Sequence, residues 1–264
     1  MIEVALELFG FSIEMIAFLF VIAILAGLID TLAGGGGLIV LPALIISGMS
    51  PIAALATNKL QGTMGTATAT LIMFKNKKVS WQQVRWSMLA AFIGSAVGTV
   101  IVQFMDPDVL SFVIPIVLLA IGVYFLVSPS SVAAKEEKLE LKKYQRRVVP
   151  FIGAYDGMFG PGTGSFFALA GVSFRGLNLI LATAEAKPLN FATNIASLIV
   201  FVMAGHVVWA IGALMMIGQV IGAWLGARCL FAIKAQYIRA IVVFMCFSML
   251  VKYAHVQGWF MLIS

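Results

Sequence analysis

The sequence predicts an all-α integral membrane protein. It reads as an inverted repeat of two halves, each a glycine-broken helical hairpin followed by three transmembrane helices. Three observations carry this reading. Apolar residues make up 62% of the 264 residues and charged ones only 11%, against about 45–50% and about 25% in soluble domains. The apolar residues fall into runs long enough to cross a bilayer. The two halves also match each other in register. Mean hydropathy is +1.06, so lipid must be the main solvent.

Apolar stretches follow one another at 14–32, 38–48, 52–74, 84–104, 109–127, 148–173, 182–204 and 207–228, with a further one at 236–256. A spanning helix takes about 20 residues. The stretches 52–74, 84–104, 109–127, 182–204, 207–228 and 236–256 meet that test. The regions 14–48 and 148–173 are interrupted, at Gly34, Gly35, Gly36 and Gly37 and at Gly160-Pro161-Gly162-Thr163-Gly164. Glycine and proline end helices, so each region is expected to be a broken helix or re-entrant hairpin. The N-terminus is acidic where a signal peptide would be basic, so the first apolar run is expected to persist.

One long polar stretch, 129–147, divides the chain. The expected organisation is a first membrane repeat over 1–128, a partly helical cytoplasmic linker over 129–147, and a second repeat over 148–264. At an offset of 126, Gly27, Asp30, Gly34 and Gly36 fall on Gly153, Asp156, Gly160 and Gly162. At an offset of 128, Lys59, Val79, Trp81, Met88, Ile93, Gly94 and Gly98 fall on Lys187, Val207, Trp209, Met216, Ile221, Gly222 and Gly226. Glycine matches come cheaply in this composition; the Asp, Lys and Trp matches do not.

Net charge is +6, and 14 of the 17 basic residues, all but Lys59, Lys187 and Lys252, sit in or beside the loops near 75–85, 129–147, 174–181 and 229–239. That bias places these loops in the cytoplasm and both termini in the periplasm of a multi-pass bacterial inner-membrane protein. The basic loops then meet anionic lipid headgroups, not nucleic acid. Three spans after each hairpin is an odd number, so the second half enters from the opposite face, as in many secondary transporters.

Breaking a helix in lipid exposes backbone groups that cost several kcal/mol each if unpaired. Such breaks persist where they line a cavity, and new helix N-termini favour anions. The expected anion-binding residues are Gly35, Gly36 and Gly37 at the first break and Gly162, Thr163 and Gly164 at the second. Free amides over 35–38 and 162–165 would supply donors there. Lys59 and Lys187 join them because an ionisable residue at depth is read as functional. Lys59 is expected to lie deeper, since Glu185 and Pro188 suggest a helix boundary beside Lys187. Asn58, Asn190 and Asn194 add donors, in company with Thr57, Gln61, Thr63, Thr66 and Thr193. Asp30 and Asp156 would carry protons or bind a cation, or else neutralise the lysines. A small anionic substrate is thus the expected partner beside membrane lipids, and a homo-oligomer is allowed.

Cys229 and Cys246 lie in apolar stretches without a CxxC pattern, and His206 and His255 are isolated. No metal site or cofactor is expected. A rival reading makes Asp30 and Asp156 an acid–base pair of an intramembrane hydrolase. The usual GxGD context is absent, and the chain is not expected to be an enzyme. A non-transporting sensor would need a soluble domain larger than 129–147.

The segments GLIDTLAGGGGLIVLPALIISGMSPIAALATNKL, GAYDGMFGPGTGSFFALAGV and AEAKPLNFATNIASLIVF resemble the sulfite exporter TauE/SafE family, in order and across both halves. The resemblance implies a secondary transporter of sulfur-containing anions such as sulfite, sulfoacetate or related sulfonates. Another small anion remains the alternative cargo. It points to the glycine breaks and the segments around Asn58 and Lys187 as the substrate region.

Overall fold

A computed structural model describes residues 7–8, 11–127, 139–229, Phe244, Phe247, Ser248 and Val251. The stretch expected at 236–256 therefore lies outside the described residues apart from those four positions. A short antiparallel ladder, β1 (Glu7–Leu8) with β2 (Phe11–Ser12), leads into α1 (Ile13–Ala33). Then come α2 (Gly37–Ile46), α3 (Pro51–Lys75), α4 (Trp81–Val102) and α5 (Pro107–Val127). Further along follow α6 (Leu141–Arg147), α7 (Val149–Met158), α8 (Thr163–Arg175), α9 (Leu179–Met203) and α10 (Trp209–Cys229). The chain is an all-α membrane protein.

Local chemistry sets the helix starts. Ser12 Oγ accepts from the Met15 N–H at 3.2 Å, and Asn178 Oδ1 from that of Leu181 at 2.9 Å. Ser50 caps α3 with Pro51 at its first position, where a missing N–H is harmless. Ser80 and Gln83 form a capping box on α4.

Four helices, α1, α4, α9 and α10, are long and apolar enough to cross a membrane. Two expectations need correction. First, α1 runs 21 residues unbroken, a full span and not half of a re-entrant hairpin. Within this first hairpin only α2, at 10 residues, is short. Second, α3 is 25 residues long yet lies outside that apolar group. Its inward face carries Thr57, Asn58, Lys59, Gln61, Thr63, Thr66 and Thr70, all buried, while Leu71 is 67% exposed. The helix is polar inside and apolar outside, as a lipid solvent requires.

The second hairpin differs from the first. Where α1 is continuous, α6 and α7 meet at Val148, whose N–H still donates to Tyr144 at 2.9 Å. Two residues on, Pro150 has no N–H to donate to the Arg146 carbonyl, which accounts for the interruption. The end of the polar linker is therefore helical. It is also docked: Tyr144 is buried, and Gln145 Nε2 donates to Ser87 Oγ of α4 at 3.1 Å.

At the centre α3 packs on α9. Each then takes a neighbour from the other half, α10 against α3 and α4 against α9. Outside these, α1 lies on α10 and α7 on α4. Under the sequence offsets α1 corresponds to α7, α3 to α9 and α4 to α10, so every pairing has its counterpart. Glycines set the close approach. A Cβ at Gly218 would lie 2.9 Å from the Phe20 carbonyl oxygen, and at Gly226 2.8 Å from that of Leu28. Gly222 between them faces the Ile24 carbonyl, and in α4 Gly94 and Gly98 face the carbonyls of Pro150 and Ala154. Small residues four apart let backbones touch where lipid gives helices no hydrophobic drive. Gly94/Gly222 and Gly98/Gly226 are the pairs matched by the repeat.

Leucine at Gly98 or Gly222 must push a helix off its partner's backbone. Each substitution is expected to destabilise by about 1–3 kcal/mol or more, read as a lower melting temperature in detergent. Val97→Leu, at a position 52% exposed, is expected to stay within about 0.5 kcal/mol. Wild-type melting of Gly98→Leu would contradict the packing argument.

Candidate functional site

The two breaks touch each other. Gly34 ends α1 at φ +77°, a left-handed cap that glycine adopts without strain, and its N–H donates to the Asp30 carbonyl at 2.7 Å. The second break turns through Gly160 at φ +91° and Gly162 at φ +78°. A Cβ at Gly164 would lie 2.6 Å from the Gly34 Cα, and one at Gly37 3.2 Å from the Pro161 Cα. Ser165 Oγ donates to the Ala33 carbonyl, joining the breaks directly. The Tyr155 hydroxyl donates to the Pro161 carbonyl at 2.6 Å and braces the second break.

Each lysine crosses from one half to the hairpin of the other. Lys59 of α3 pairs with Asp156 of α7 at 2.7 Å, both side chains almost wholly buried. Thr163 Oγ1 donates to the other carboxylate oxygen of Asp156 at 2.7 Å. Lys187 of α9 reaches Asp30 of α1 differently: Nζ donates to the main-chain carbonyl at 2.5 Å. It caps the negative end of α1. Among the described residues no cation lies within ion-pair distance of the Asp30 carboxylate, which accepts one long bond, from the Gly36 N–H at 3.4 Å.

A cavity of about 340 Å³ of empty space, its mouth included, opens where the breaks meet. Its wall holds Asp30, Gly34, Gly36 and Gly37 from the first break and Asp156 and Gly160 from the second. Asn58, Gln61, Gly62 and Thr66 of α3, Asn190 and Asn194 of α9, and Gln219 of α10 complete it.

The amides are oriented by each other. Asn58 Oδ1 accepts from Gln61 Nε2 at 2.8 Å, and Asn190 Oδ1 from Asn194 Nδ2 at 3.4 Å. Their NH₂ groups are thereby turned to the breaks. Asn58 Nδ2 would lie 3.6 Å from a Cβ at Gly37 or at Gly160, and Asn190 Nδ2 3.5 Å from one at Gly164. Among the described residues nothing accepts from the main-chain N–H of Gly37 or Gly164. Donors from both halves thus converge.

Of the residues expected to bind substrate, Gly36, Gly37, Asn58, Asn190 and Asn194 line the cavity, as do Asp30 and Asp156. Gly35, Gly162, Thr163 and Gly164 do not; Thr163 is turned to Asp156, and Gly164 packs on Gly34. Lys59 and Lys187 lie behind the wall, occupied by the other half's aspartates. Three expectations are corrected. The amides over 35–38 and 162–165 are not all free: Gly36 donates to Asp30, Leu38 to Gly35, Thr163 to Gly160 and Ser165 to Gly162. Lys187 sits no nearer its helix end than Lys59; each is the ninth residue of a 25-residue helix. Pro188 marks no boundary, because it sits inside α9. Gln219 was missed. Its signal was a lone amide in the apolar run of α10, and glycines at Gly27 and Gly65 make room for it.

Residues 19–253 match the family model described as Sulfite exporter TauE/SafE. The chain belongs to the sulfite exporter TauE/SafE family. A "Probable membrane transporter protein" of Haemophilus influenzae is 41% identical over 94% of this chain and 98% of its own length. "Probable membrane transporter protein YfcA" of Escherichia coli K12 is 43% identical over 90% and 88%. "Probable membrane transporter protein ORF9" of a Sinorhizobium species is 38% identical over 91% and 93%. No solved structure gives a significant match. Family and relatives together make this chain a membrane transporter.

Removing one partner of a buried ion pair strands the other charge, at about 3–5 kcal/mol. Lys59→Met or Asp156→Asn alone is expected to lower the melting temperature in detergent sharply. The double variant is expected to recover more than half of the loss. Additive losses in the double variant would count against the pair.

Proposed function

We propose that this member is a secondary transporter of a small sulfur-containing oxyanion, such as sulfite, sulfoacetate or a related sulfonate, bound where the two breaks meet. The observation that carries this is the convergence of the side-chain amides of Asn58 and Asn190 and the unpaired main-chain N–H of Gly37 on one cavity. Charge-assisted bonds from several fixed donors suit an oxyanion, and helix N-termini add a favourable dipole. Behind them, Lys59 has two ammonium protons beyond the one directed at Asp156. The family description names sulfite, which supports a sulfur oxyanion over other small anions.

In this reading the halves are an inverted repeat about the meeting point. The basic loops face the cytoplasm of a bacterial inner membrane and the termini face the periplasm. The reciprocal pairing of helices supports it. A hydrolase would need Asp30 and Asp156 to share a proton across a substrate; the hold of Lys59 and Thr163 on Asp156 favours transport.

The test is uptake of labelled sulfite and sulfonates by proteoliposomes carrying the full chain. A hydrogen bond to a charged group contributes about 1.5–3 kcal/mol. Asn58→Ala and Asn190→Ala are therefore each expected to weaken apparent affinity about 10- to 100-fold. Unaltered uptake in the double variant would remove this cavity from the transport path.

A further inference from the structure

Resting on that reading, we infer that Asp30, and not its repeat partner Asp156, is the proton-binding site that couples anion movement to a proton gradient. The two carboxylates occupy equivalent sequence positions but unequal surroundings. Asp156 is held at both oxygens, by Lys59 at 2.7 Å and Thr163 at 2.7 Å. Asp30 lines the same cavity with one 3.4 Å bond from Gly36. The difference has a cause in the sequence. The residue equivalent to Thr163 in the first half is Gly37, which has no hydroxyl to donate. Lys187, the equivalent of Lys59, spends its contact on the Asp30 main-chain carbonyl and leaves the carboxylate unpaired.

The charged groups acting on Asp30 are Lys187 of α9, Asp156 of α7 and Lys59 of α3. Two cations and two carboxylates sum to zero. A monovalent anion entering the cavity makes the cluster negative in a medium that tolerates little net charge. A proton from water on the free Asp30 oxygen restores neutrality and turns the nearest repelling group into a hydrogen-bond donor. Anion and proton then bind together, leave together, and travel in the same direction, one for one.

The experiment uses the reconstituted chain, a pH-reporting dye inside the vesicles, and labelled methanesulfonate and sulfoacetate, whose sulfonate groups stay ionised. Wild type is expected to acidify the lumen as anion enters. With methanesulfonate it should accumulate up to about tenfold for each unit of inward acid gradient. Asp30→Asn, fixed in the neutral form, is expected to lose gradient-driven accumulation and the pH dependence of anion exchange. In Asp156→Asn, whatever transport survives keeps both. Asp30→Glu, with a carboxyl restored, is expected to regain proton movement, and it decides the matter if Asp30→Asn does not fold. Wild-type anion exchange without proton movement overturns the inference and leaves the transport reading standing. So does a gradient response surviving in Asp30→Asn, or lost only in Asp156→Asn. Failure of wild type to exchange any sulfonate or sulfite sinks both.

Discussion

In a medium without water, charges and broken backbone turns need protein partners, and here the opposite half supplies several of them. Lys59 answers Asp156, and Lys187 answers the end of α1. Ser165 answers the carbonyl of Ala33. Neither half could keep its own break in lipid alone. The cavity exists because two interruptions, each unaffordable singly, are pressed against one another and share their polar groups.

The same constraint explains the distribution of side chains. Hydrophobic burial cannot drive helices together when the surroundings are hydrocarbon, so packing falls to small residues and hydrogen bonds. Glycines in α4 and α10 let α7 and α1 lie backbone to backbone. Hydroxyls finish the joint on one side: Ser95 bonds Ser197 at 2.7 Å and the Thr193 carbonyl at 2.8 Å, and Thr99 bonds Ser197 at 2.8 Å. Large apolar side chains such as Phe104, Phe112 and Trp209 face outward. Rigid close contact there holds the flanks of α3 and α9, which carry the amides that define the cavity.

Much of this was legible in the sequence because lipid makes polar residues conspicuous. Asp30, Lys59, Asp156 and Lys187 stand out in apolar runs, and their matched spacing is what points to a repeat. The glycine breaks were legible for the same reason. Partners across the fold were not. Nothing local says that Lys187 caps a carbonyl while Lys59 pairs with a carboxylate. Pro188 reads as a boundary until the packing around α9 holds the helix through it. Whether Leu38 or Ser165 spends its N–H on the preceding turn depends on dihedral angles that composition does not encode. Gln219 was hidden by its isolation, since its counterpart at the 128 offset is Ala91, which carries no polar group.

That last mismatch belongs with the substitution of Gly37 for Thr163. A repeat that were perfectly symmetric would give both aspartates the same surroundings, and a ligand on the axis would meet two equal carboxylates. Two side-chain differences break this. Thr163 fastens Asp156 to the second break, while Gly37 has no hydroxyl to offer Asp30. Gln219 places an amide on the cavity wall where Ala91 offers a methyl. The wall is therefore locked on one side and open to new bonds on the other. On the proton-coupling inference, two carboxylates at matching sequence positions divide the work, Asp156 structural and Asp30 exchangeable.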